Sequence, residues 1–205
     1  MQLSKNITVL DDIFLQSHLA TLCHEDTVQP QISPLVRELY RHLLKGVMNA
    51  EFPREHVDVR TRMAKITPEG VWSGTVLARA VPTVTVNIMR AGSIPSQICY
   101  EMLNLCLDPT YVRQDHVVMS RILNENGQVT GSHFGDSKIG GSVEDAFVLF
   151  PDPMGATGAS ISEAIRHYKE QVPGKARRYM ALHLIITPEY IARMQADHPD
   201  VVVYA

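Results

Sequence analysis

The hydrophobic positions of this chain change period once before residue 80. Leu35, Val36, Leu39, Leu43, Leu44 and Val47 recur at spacings of three and four, which lays them along one face of a helix. Ser33-Pro34 supplies an N-cap with proline at the first helical position, and Phe52-Pro53 stops the helix at about Ala50. That stripe reads as core packing. A shorter helix is expected over residues 12–22. From residue 57 the period falls to two: Val57, Val59 and Thr61 alternate with polar neighbours, and Thr67-Pro68-Glu69-Gly70 offers a turn into a partner strand over 71–77.

Beyond residue 80 the pattern changes again. Residues 81–89 (VPTVTVNIM) form a continuous β-branched run, followed by Arg90-Ala91-Gly92-Ser93 and a helical stretch over 94–107. Further strands are expected at 117–119, 147–150, 180–186 and 201–204, with helices between the third and fourth (through Lys169) and over 188–196. Strands that alternate with helices and are apolar throughout belong to a parallel sheet covered on both faces. The fold class is therefore α/β, a doubly wound parallel sheet.

The connection over residues 121–145 is long and holds five glycines together with the turn dipeptide Asn126-Gly127. Ile122 and Leu123 before the turn, with Val129 and Phe134 after it, suggest a hairpin arm that covers a site or clasps a partner subunit. The expected organisation is one domain over 1–205: a helical and hairpin region to about residue 80, an α/β core over about 81–205, and the arm at about 121–145.

Composition narrows the class of function. Hydrophobic residues are 45% and charged residues 20% of the 205, an ordinary globular mix. Lys and Arg number 19 against 22 acidic residues, for a net charge of −3, which gives no electrostatic footprint for nucleic acid or an anionic membrane. No apolar run is long enough to span a bilayer. Three scattered cysteines fit neither a disulfide framework nor a metal site, and the nine histidines include no HxH or i, i+4 pair. A reducing, cytoplasmic setting is expected.

In open parallel sheets ligands sit outside the carboxyl ends of the strands, and two loops at those ends are chemically loaded. The stronger is Pro151-Asp152-Pro153-Met154-Gly155-Ala156-Thr157-Gly158-Ala159-Ser160. Its glycines let the backbone approach a ligand, Thr157 and Ser160 add hydroxyls, and the following helix offers its positive end: a phosphate cradle. Asp152 at its mouth can accept hydrogen bonds from sugar hydroxyls. Neither GxxxxGK[ST] nor GxGxxG is present, so P-loop and dinucleotide fingerprints do not fit. The second loop, Arg90-Ala91-Gly92-Ser93, places a cation and a close-approach glycine where a pyrophosphate would be held, and Arg121 adds a cation after the next strand.

These segments resemble the uracil phosphoribosyltransferases. Residues 152–160 are similar to the 5-phosphoribosyl-1-diphosphate (PRPP) loop of that family, and residues 87–92 (NIMRAG) to its pyrophosphate loop. The strand ending Val118-Met119-Ser120-Arg121, the segment TPEGVWSG over 67–74, Thr187-Pro188-Glu189 and His198-Pro199-Asp200 also fit. The family loop has leucine and a second glycine where this chain has Gly155 and Ala159; both are small and preserve the cradle. The resemblance implies that PRPP is bound by Arg90, Ala91, Gly92 and Arg121 on the pyrophosphate side. Asp152 would bind the ribose hydroxyls and Met154, Gly155, Ala156, Thr157, Gly158, Ala159 and Ser160 the 5′-phosphate, with Pro153 also among the PRPP-binding residues. It further implies Mg²⁺ carried on the PRPP diphosphate, uracil as acceptor, UMP and pyrophosphate as products, and a homodimer or higher homo-oligomer. The uracil-reading segment of the family is expected beyond Ala205, so the chain ending there is expected to bind PRPP and to transfer it poorly. A PRPP-binding regulatory homologue and a transferase for another base remain alternative readings.

Overall fold

A computed structural model describes the backbone of residues 2–123 and 129–205, with side chains described for 5–120 and 134–205. The strands are β1 (Gln2–Ser4), β2 (Ile7–Thr8), β3 (Arg54–Arg60), β4 (Val71–Leu77), β5 (Thr83–Met89), β6 (Val112–Leu123), β7 (Val129–Lys138), β8 (Phe147–Pro151), β9 (Met154–Gly155), β10 (Arg178–Leu182), β11 (Ile185–Ile186) and β12 (Val202–Tyr204). The helices are α1 (Ile13–Leu22), α2 (Ile32–Glu51), α3 (Ser93–Cys106), α4 (Ala159–Gln171) and α5 (Pro188–Asp197). The main sheet runs β1-β2-β12-β10-β8-β5-β6-β7. It is parallel from β2 to β6 and closes with antiparallel pairs at both edges.

The continuous apolar strands are buried because both faces are covered. Along β8, Phe147 and Leu149 join a cluster with Leu44, Val47, Ile98 and Leu103 of α2 and α3. Val148 and Phe150 join the opposite cluster with Ile161, Ile165, Tyr190 and Met194 of α4 and α5. The same alternation sorts Met180 and Leu182 from Ala181 on β10. The expected doubly wound sheet is the one observed, and the hairpin of β3 and β4 stands apart as a two-stranded sheet.

Four details differ from the periodicity. The short strands β1 and β2 extend the sheet, through pairing of β2 with β12. Helix α2 begins at Ile32 rather than after Ser33; Pro34 falls within its first turn, where no intrahelical N–H is needed. The strand expected at 117–119 runs over 112–123, because β6 pairs with β5 on one edge and β7 on the other. The strand expected over 180–186 is broken at His183 into β10 and β11.

The 121–145 arm is an antiparallel hairpin of β6 and β7. The Asn126-Gly127 turn lies outside the described residues. The arm's base is fixed by Arg113, which donates to the Ser142 carbonyl at 2.6 Å and the Gly141 carbonyl at 3.0 Å. Phe134 of β7 stacks on His167 of α4 with ring centroids 3.7 Å apart. No helix among the described residues is long and apolar enough to cross a membrane.

Candidate functional site

Strands β5, β8 and β10 end at one edge of the sheet, at Met89, Pro151 and Leu182. The two loops singled out in the sequence meet there. Gly92 makes the junction: a Cβ on it would lie 3.0 Å from the Pro151 carbonyl and 2.9 Å from that of Ile88. Backbone atoms cannot yield that space, so only glycine lets the Arg90 loop lie against the start of the 152–160 loop. The Met89–Arg90 peptide is cis. Arg90 and Ala91 are exposed, and among the described residues Arg90 has no ion-pair partner. The Arg121 side chain lies outside the described residues; its backbone pairs with Ser132 within the arm.

The 152–160 loop holds its carbonyls inward. Asp152 O accepts from His183 Nδ1 at 2.6 Å, and Pro153 O from the Leu184 and Ile185 amides at 3.1 and 3.2 Å. Gly155 O accepts from the Thr187 amide (3.0 Å), Ala156 O from Thr187 Oγ1 (2.6 Å) and Thr157 O from Arg193 Nε (2.7 Å). The short pairing of β9 with β11 completes this clamp. Carbonyl oxygens repel an anion, and here five of them are engaged by the segment 183–193. The loop then enters α4 at Gly158, whose φ of 73° is left-handed and so favours glycine. The N-terminal end of α4 has no acidic residue in its first turn, which leaves its positive dipole end available to an anion.

Asp152 sits half-buried at the mouth. Burial raises its carboxyl above the usual range, while the Met154 amide, donating to Oδ1 at 3.1 Å, pulls in the other direction. Thr157 Oγ1 lies 3.4 Å from the Ala159 amide, and Met154, Ala156 and Thr157 are exposed at the rim. The arrangement can present hydroxyl and amide donors to a phosphate, a carboxylate to a polyol and a guanidinium to a second anion.

Sequence reasoning missed the supporting segment. His183 passed as one of nine scattered histidines, and Tyr190 and Arg193 drew no notice; only Thr187-Pro188-Glu189 was singled out, as fitting the family pattern. Thr187 does cap α5, its Oγ1 accepting from the Tyr190 amide at 3.1 Å. A cavity of about 640 Å³ opens elsewhere, between Lys169, Gly174–Tyr179 and Asp200 at the amino ends of β10 and β12. Its chemistry is mixed: Lys169 is paired with Asp200 at 2.6 Å, and Arg178 with Glu51 at 3.1 Å.

A doubly wound sheet bearing these loops on its carboxyl edge defines the type I phosphoribosyltransferase class of fold. The sequence model described as "Uracil phosphoribosyltransferase" matches residues 9–205, and the chain belongs to that family of glycosyltransferases. Relatives include the uracil phosphoribosyltransferase of Myxococcus xanthus, 30% identical over 97% of this chain and 84% of its own length. That of Caldanaerobacter subterraneus is 27% identical over 98% of this chain and 85% of its own. Among solved structures, the AQ2163 protein from Aquifex aeolicus superposes with a TM-score of 0.75 at 21% identity, covering 97% of this chain and 85% of that one. This likeness establishes the shared fold.

Proposed function

We propose that the protein transfers the 5-phosphoribosyl group of PRPP to uracil, forming UMP and releasing pyrophosphate, as a step of pyrimidine salvage in the cytoplasm. The observation that carries this reading is the contact of the Arg90 loop with a 152–160 loop whose carbonyls are tied inward. The 5′-phosphate is assigned to Met154–Ser160 and the end of α4, and the ribose hydroxyls to Asp152 with Pro153 beside them. The diphosphate goes to Arg90, Ala91 and Gly92, and to Arg121 from the arm. Uracil as the acceptor rests on the family and on the names of the relatives.

In the reaction N1 of uracil bonds to C1 of the ribose, the bond from C1 to the diphosphate breaks, and the N1 proton is released. Positive charge develops on the ribose while negative charge grows on the leaving group. Preorganised cations and amides at the diphosphate therefore favour the transition state over the ground state. Holding the two substrates in one geometry lowers the barrier further.

PRPP is the substrate as its magnesium complex. Among the described residues no three His, Cys, Asp or Glu side chains gather into a metal site. The exposed Arg90 suits a diphosphate whose oxygens, with water, would hold the ion, as Mg²⁺ is commonly held. The ion would neutralise part of the leaving group's charge. The arm of β6 and β7 is assigned to a homodimer contact, and the free thiols of Cys23, Cys99 and Cys106 fit a reducing compartment. The test is incubation with PRPP, Mg²⁺ and labelled uracil, with adenine, guanine and orotate in parallel. Labelled UMP with equimolar pyrophosphate is the expected product, whatever its rate; product from another base alone would overturn uracil as the acceptor.

A further inference from the structure

Beneath the 152–160 loop, His183, which engages the Asp152 carbonyl, is itself paired with Tyr190. His183 is 1% exposed and Tyr190 0%. His183 Nδ1 lies 2.6 Å from the Asp152 carbonyl, and its Nε2 lies 2.6 Å from the Tyr190 hydroxyl. A carbonyl can only accept, so Nδ1 carries the proton; with the buried ring neutral, Nε2 is the acceptor and Tyr190 donates to it. The chain Tyr190 O–H to Nε2, Nδ1–H to Asp152 O has one consistent polarity, and it requires a neutral imidazole.

The tyrosine ring reaches the other end of the loop. A Cβ on Gly155 would lie 2.9 Å from Tyr190 Cδ2, and one on Gly158 would lie 3.2 Å from the same atom. The loop backbone therefore rests on the ring at both of its glycines. One buried unit thus fixes the carbonyl of Asp152 at the mouth, Gly155 in the middle and Gly158 at the entry to α4. Those points set how deep the loop sits, and hence the separation between the ribose-facing carboxylate and the phosphate-facing turn.

We propose that His183 and Tyr190 form a brace that positions the 152–160 loop, with His183 the positioning residue for binding of the ribose 5-phosphate moiety. This rests on the PRPP reading of the loop. Neither side chain touches the ligand; both act through the backbone that does. Burial holds the imidazole neutral, with its pKa down at about 4, so the hydrogen-bond polarity holds at neutral pH. Networks of this kind confine a loop to one arrangement when every member is satisfied.

The test compares wild type with His183→Leu, His183→Asn and Tyr190→Phe. Amide hydrogen exchange over 153–160 is read without ligand, and affinities for ribose 5-phosphate and for inorganic pyrophosphate are read by calorimetry. His183→Leu is expected to speed exchange in the loop at least tenfold while β8 exchanges as in wild type. It should also weaken ribose 5-phosphate at least tenfold, with pyrophosphate within twofold. His183→Asn, which keeps a donor near the Asp152 carbonyl, should restore part of both effects. Tyr190→Phe, which keeps the ring, gives a smaller shift in the same direction and serves if the leucine variant fails to fold. Wild-type exchange in the variants, or equal loss of both ligands, overturns the brace as a positioning device. A wild-type chain that binds no ribose 5-phosphate, yet whose loop loosens on substitution, sinks the PRPP reading and supports the brace.

Discussion

Asp115 is 0% exposed and has donors on several sides. Arg113 Nε approaches its two oxygens at 3.1 and 3.3 Å, the Gly140 amide lies at 2.9 Å and the Tyr168 hydroxyl at 2.9 Å. Three elements are tied by it: β6, the chain returning from the arm, and α4. Arg113 is 28% exposed and holds two carbonyls besides, so losing the carboxylate chiefly strands the buried Tyr168 hydroxyl without an acceptor, at a cost of about 1–3 kcal/mol. Asp115→Ala should lower the urea midpoint by a corresponding amount; a loss under about 1 kcal/mol, the worth of an ordinary hydrogen bond, would contradict this account. His183 gives a second residue-scale expectation. Its pKa falls to about 4 in the folded state against about 6.5 in the unfolded chain. The unfolded state therefore binds more protons between those values, and stability rises with pH there. The contribution is full above about pH 6.5, is lost as pH falls toward 4, and amounts to about 3 kcal/mol at 1.36 kcal/mol per unit. Melts of wild type and His183→Leu from pH 7 to 4 read the difference; parallel curves would refute it.

At the scale of elements, legibility followed the strength of local signals. Helix α5 was readable as the stretch opening at Pro188 after the fourth strand, and β3 with β4 because period two and a Pro-Glu-Gly turn coincide. The break at His183 was not readable. Leu182, Leu184, Ile185 and Ile186 look like one apolar strand, and between them the chain turns to the 152–160 loop, His183 Nδ1 to the Asp152 carbonyl and the Leu184 and Ile185 amides to that of Pro153. Strands β1 and β2 escaped for a related reason: two or three residues carry no period, and β2 exists because β12 offers it an edge. The arm was legible from its glycines and its length. Deleting residues 124–131 should convert the proposed homodimer to a species of one chain's mass by light scattering while leaving the melting temperature of the α/β core near wild type. A wild-type protein that already runs as a monomer would remove the arm's assigned role.

For the whole molecule, the candidate site was half legible. Acid, glycines and hydroxyls at a strand end pointed to a candidate cradle, and Arg90 to a candidate second anion position. That the two touch through Gly92 and Pro151, and that the cradle is clamped by 183–193, needed the assembled fold, because those contacts join residues about 30 to 60 positions apart, which no local pattern reports. The central proposal is that the carboxyl-edge loop binds PRPP. Calorimetric titration of Mg·PRPP into wild type and Thr157→Val tests it most directly. The expected result is saturable one-to-one binding by wild type, weakened in the variant by about 1–3 kcal/mol, the range for a lost hydrogen bond to a charged group, with unchanged melting of the unliganded proteins. No binding by wild type, or equal affinity in both, would contradict it.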